Sequence, residues 1–106
     1  MVHKMYTSTR VIRFKNVASM MAGMPICLKI LQYWKNTLKQ DVSLMTPVLG
    51  GHPARVLFVV RSEDIESNLR LSEQANKDKK NLALVAKLSE FVDGSATNDQ
   101  VWKTIA

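Results

Sequence analysis

Apolar and polar positions along the chain alternate between the period of a strand and that of a helix. "MYTSTRVIRFK" (Met5–Lys15) is rich in Thr, Val, Ile, Tyr and Phe and reads as a strand. Asn16 offers a helix N-cap, and Val17, Met20, Met21, Met24, Leu28 and Leu31 then recur at helical spacing. Pro25 interrupts this run, so the spacing predicts an irregular start and a firm helix from about Pro25 to Leu38. "VSLMTPVL" (Val42–Leu49) is a second strand, and "GGHP" (Gly50–Pro53) is a turn cluster. "ARVLFVVR" (Ala54–Arg61) is a third strand. Ser62 is a candidate N-cap for a helix that opens with Glu63, Asp64 and Glu66 and carries a thin stripe of Ile65 and Leu69. A further helix covers about Lys77–Val92, with Leu84, Val85, Leu88, Phe91 and Val92 inward and Gly94 as its stop. "DQVWKTIA" (Asp99–Ala106) is a last short strand.

The resulting order, β-α-β-β-α-β with the second helical region broken in two, is the split βαβ plan of a ferredoxin-like α+β fold with a four-stranded antiparallel sheet. That plan puts the first and third strands in the centre. Two local features agree with it. Pro47 cannot donate to a ladder and belongs at a sheet edge. The five apolar residues of "VLFVV" (Val56–Val60) need cover on both faces, as only a central strand has. Alternation sends Val56, Phe58 and Val60 to one face, toward the helices. It sends Arg55, Leu57, Val59 and Arg61 to the other. Both helical regions pack on one face, so the second is bare in a single chain. Leu57 and Val59, apolar between charged ends, suit a dimer interface, and a second copy packed sheet to sheet is the expected cover.

Length and composition add limits. A chain of 106 residues reads as one domain, 1–106, with 46% apolar and 23% charged residues. Cys27 is the one cysteine, which excludes an internal disulfide and fits a reducing cytoplasm. The start of the chain lacks the apolar core of a signal peptide. "VASMMAGMPICLKIL" is too short, and too interrupted, to span a bilayer. The expectation is a cytoplasmic protein with no membrane partner. The net charge of +6 is lopsided: residues 1–40 carry seven Lys or Arg and no acid, while residues 41–106 carry eight and nine acids. A basic half can serve nucleic acid or simply solubilise a small domain. RNA binding on this topology needs paired aromatics on the two central strands. Tyr6 and Phe14 on the first and Phe58 alone on the third do not supply them, so no specific nucleic-acid partner is expected.

Few residues carry chemistry. His3 and His52 are the only histidines, no metal-ligand spacing is present, and Gly50–Gly51 marks a hairpin, not a phosphate loop. Neither metal nor cofactor is expected. Cys27 falls beside the apolar stripe of the first helix and reads as a buried thiol. Met20, Met21 and Met24 suit either core filling or the wall of an adaptable apolar pocket. Arg10 shares a strand face with Ile12 and Phe14 and so points toward the helices. There it needs a partner, either a helix carboxylate or the carboxylate of a ligand.

"RVIRFK" leading into a helix, "GGHPARVLFVV", "RSEDIESN" and "LSEFVDGSATNDQVWKTI" together resemble the dimeric α/β-barrel superfamily, in particular its NIPSNAP-like and stress-responsive A/B-barrel branches. The resemblance covers nearly the whole chain as a pattern of elements. It implies a homodimer whose two sheets close into a barrel. It also implies a cavity between sheet and helices. Members include cofactor-free monooxygenases, isomerases and haem enzymes. The stress-responsive branch often has a histidine four residues before the matching phenylalanine; Arg10 stands there in this chain. The leading expectation is a small-molecule binding protein, with an apolar or amphipathic, fatty-acid-like ligand between the sheet and the first helix. Met20, Met21, Met24 and Leu28 would form one wall, with Ile12, Phe14 and Phe58 opposite and Arg10 at the polar end. The alternative is a cofactor-free monooxygenase or isomerase, with Tyr6, Ser8, Tyr33 or Trp34 as further polar groups.

Overall fold

The structure, a computed structural model, describes residues 5–48, 54–94 and 98–105. Strand β1 (Tyr6–Arg13) leads into helix α1 (Val17–Gln32), which runs on into a π-helical turn (Tyr33–Thr37). Then come β2 (Asp41–Met45), β3 (Arg55–Ser62), α2 (Ile65–Lys77), α3 (Lys79–Ser89) and β4 (Asn98–Lys103). The strands form one antiparallel sheet in the order β2-β3-β1-β4. β1 and β3 are central, as the continuous apolar run of β3 requires. Pro47 lies just past the end of the edge strand β2. The expected turn at Gly50–Pro53, with His52, lies outside the described residues, as does His3.

Helix starts differ from the sequence expectation for identifiable reasons. α1 is regular from Val17, because Asn16 Oδ1 accepts the Ser19 N–H at 2.8 Å and holds the first turn. The helix then passes through Pro25 without ending. Proline there forfeits one backbone hydrogen bond, but Pro25 lies on the solvent side while Ile26, Cys27 and Ile30 are buried against the sheet. Apolar burial outweighs the lost bond. The cap of α2 is Asp64 rather than Ser62: Asp64 Oδ1 accepts the Ser67 N–H, and Ser62 still belongs to β3 and is buried. Asp78 separates α2 from α3 and caps the latter by accepting from Lys80 and Asn81.

The core joins Ile12, Phe14, Ala54 and Val56 of the sheet side to Ile26, Cys27 and Ile30 of α1 and Leu88 of α3. Gly23 lets α1 lie directly on Phe14. A Cβ at that position would come within 2.6 Å of the ring. Among the described residues no helix packs on the opposite face of the sheet. On it Val59 is nonetheless only 4% exposed, Leu57 is partly buried, and Met45 and Trp102 on the two edge strands are exposed. Trp102 Nε1 donates to Thr9 Oγ1 across this face. Arg61 reaches Asp41 and Ser43 at its border. Among the described residues no helix is long and apolar enough to cross a membrane.

Candidate functional site

The helix-facing positions of the sheet follow from register. Arg10 of β1 stands opposite Phe58 of β3 and Asp99 of β4, and Ser8 opposite Val60 and Val101. The helices leave β4 open, and every residue of β4 is exposed. The gap holds a cavity of about 560 Å³. Its floor is Ser8, Arg10, Ile12, Val42, Phe58 and Val60. Its roof is Asn68, Ser72 and Asn76 of α2 with Asn81, Val85 and Leu88 of α3. Leu82 and Val85 on the helix side and Val101 on β4 are each partly open to solvent and form an apolar rim.

Three polar features stand on this apolar background. The Arg10 guanidinium grips Asp99 with two bonds, Nε to Oδ1 at 2.6 Å and Nη2 to Oδ2 at 2.7 Å. The partner therefore comes from the neighbouring strand, not from a helix. These hydrogen bonds hold the Asp99 carboxyl below its ordinary range and raise Arg10 further. Second, Asn81 is 5% exposed and donates through Nδ2 to Ala75 O at 3.0 Å, which fixes the orientation of its amide. Its Oδ1 has no partner among the described residues. Third, the Ser8 hydroxyl is likewise buried and unpartnered among them. A buried polar atom without a hydrogen bond costs about 1–3 kcal/mol, so both invite a donor or acceptor from a guest in the cavity.

The ion pair has a measurable signature. Asp99 titrates below the ordinary 3.8, so its contribution is present above that value and is lost as pH falls through the lowered one. Both side chains are more than half exposed, at 56% and 58%, so screening holds the contribution under ~1 kcal/mol. Asp99→Asn is therefore expected to lower stability by that small amount near neutral pH and by less at a second, acidic pH. Urea denaturation at the two pH values checks this; a difference that grows toward acid would contradict it.

Of the residues singled out in the sequence, Arg10, Ile12 and Phe58 line the cavity. Phe14 is fully buried beneath it. Met20 and Met24 pack into the core, while Met21, 71% exposed, and Leu28, 46% exposed, face away from it. The methionine wall is not formed: the space lies against α2 and α3, and from the first helical region only Ile30 and Trp34 reach it. Ser8 lines it, whereas Tyr6 and Tyr33 do not. Leu57 and Val59 lie on the other face of the sheet. Burial pushes the Cys27 thiol up to about 11 and leaves it a poor nucleophile. Among the described residues no group of three or more His, Cys, Asp or Glu is placed to hold a metal. Asn81 and Asp99 escaped the sequence reading. A signal for Asn81 exists, since it precedes Val85 and Leu88 at helical spacing and so places a polar residue on an apolar stripe.

Solved structures share this architecture over nearly the full chain. An uncharacterized NIPSNAP domain protein from Burkholderia xenovorans superposes with a TM-score of 0.77 at 15% identity, over 96% of each chain. The shared fold is ferredoxin-like. A dimeric ferredoxin-like protein from an uncultured marine organism matches at 0.72 and 11% identity, over 98% of this chain and 90% of its own. SnoaB from Streptomyces nogalater, a cofactor-independent oxygenase, matches at 0.71 and 6% identity, over 98% and 96%. No protein-family model matches the sequence, and no curated protein does.

Proposed function

We propose that this protein is a homodimeric small-molecule binding protein whose ligand occupies the cavity between the sheet and the α2–α3 layer. One observation carries the reading: a space of about 560 Å³ with an apolar rim has the unpartnered Asn81 and Ser8 on its wall. That volume suits a small organic molecule. The ligand is elongated and mostly apolar, because each buried CH₂ contributes about 0.8 kcal/mol in such a site. Its polar end is neutral rather than anionic. Asp99 already fills the Arg10 fork, and a fatty-acid carboxylate would have to displace it. The homodimer is supported by the bare sheet face with Leu57, Trp102 and Met45, and by the likeness to a dimeric ferredoxin-like protein.

Titration calorimetry of a long-chain alcohol and the matching acid against wild type and Asp99→Asn tests the ligand. Wild type is expected to prefer the alcohol. Asp99→Asn frees Arg10 and is expected to tighten the acid about tenfold while leaving the alcohol unchanged. Failure of wild type to bind either would refute the reading. The second reading is a cofactor-free monooxygenase or isomerase. The likeness to SnoaB favours it, with Asn81, Ser8 and Trp34 as the groups that would orient a substrate. Turnover of a bound ligand in air, without added cofactor, would select it.

A further inference from the structure

α1 is apolar on the side that meets no other element. About its axis, Val17, Leu28, Met21, Pro25, Ala18 and Ala22 fill an arc of about 140°, shared only with Gln32 and Lys29. All of them are exposed, Met21 at 71%, Val17 at 55% and Leu28 at 46%. An outward helix face normally carries charge instead. α3 packs beside α1, and the charge of the pair is one-sided. α1, its π-helical turn and α3 carry Lys29, Lys35, Lys79, Lys80 and Lys87, all exposed, and no acid. The nearest acids in sequence flank α3. Asp78 is engaged in its cap, and Glu90 follows its last residue, with its carbonyl accepting from Lys15.

We propose that this α1–α3 surface lies on an anionic lipid bilayer, with Met21, Val17, Leu28 and Pro25 in the headgroup boundary and the lysines among acidic headgroups. α1 is too short to span, at 16 residues, but suits a helix lying in the interface plane. Charge complementarity selects an anionic surface. The choice of cation selects lipid over protein: every cation here is lysine, which protein interfaces deplete and which snorkels readily from a membrane boundary. The sequence led to the expectation of no membrane partner, and this proposal departs from that expectation by surface contact alone.

Co-sedimentation with vesicles at physiological salt tests this. Wild type is expected to pellet with phosphatidylcholine vesicles containing about one-third phosphatidylserine, and at least about tenfold less with phosphatidylcholine alone. Met21→Glu alters an exposed side chain and should fold normally. It is expected to lower partitioning onto the anionic vesicles about tenfold, and Lys80→Glu to lower it on those vesicles only. Wild type that stays in solution would overturn the proposal. So would Met21→Glu that pellets unchanged, since the apolar arc would then not be inserted. A fall in mass by light scattering for Met21→Glu would instead make this face a contact between copies, and would equally overturn it.

Discussion

Leu57→Glu is expected to convert the protein from a two-chain to a one-chain species at micromolar concentration. Leu57 stands on the helix-free face of the sheet, at the middle of the central strand β3, opposite Val11 and Met45. In a sheet-to-sheet dimer that position is close to the two-fold axis, so one substitution sets two carboxylates near each other in a dry contact. An unpaired charge buried in this way costs about 3–5 kcal/mol, enough to weaken association more than a hundredfold. The side chain is only partly buried within its own chain, so the variant should retain its helical and strand signal in circular dichroism. Equilibrium sedimentation reads the result. Wild type that sediments at the mass of one chain would refute the dimer. A variant that remains two-chain would place the contact on another face.

Phe14→Ala is expected to cost about 3–5 kcal/mol, much of the stability of a domain this size. Phe14 has no exposed surface, and its ring lies against Gly23 of α1 within the cluster that includes Ile12, Ala54, Val56 and Leu88. Its backbone is fixed as well, with its N–H donating to Ala54 O at 2.8 Å and a bridge to Val92. The packed helix cannot collapse into the hole without moving α1 off β1. The urea midpoint should fall far enough that the variant is partly unfolded at 37 °C. A loss below about 1 kcal/mol would show that the α1–β1 contact is not the keystone of the core.

The sheet was legible because its signals are local and redundant. "VLFVV" demanded a central strand and Pro47 an edge, and both match the observed order. A break in the second helical region was expected too, but with the later helix starting at about Lys77, one residue before Asp78, which instead caps it. α1 was less legible. Pro25 argues for an interruption on chain-local grounds, but burial of Ile26, Cys27 and Ile30 overrides it, and the helix runs through. That shift also reassigns the methionines. With the helix regular from Val17, Met20 and Met24 turn to the core and Met21 to solvent. The Arg10–Asp99 pair could not be read at all, because the residues are 89 apart in sequence and meet only through the β1–β4 register. The cavity lies mainly against α2 and α3. Its position depends on how far those helices reach across the sheet, a matter of packing that no periodicity encodes.

Native mass spectrometry of the protein as purified weighs assembly and occupancy together. The expected result is a two-chain species carrying a small neutral amphiphile that is released on denaturation, or that loads from an added long-chain alcohol. A one-chain species, or a two-chain species that takes up no such molecule, would contradict it.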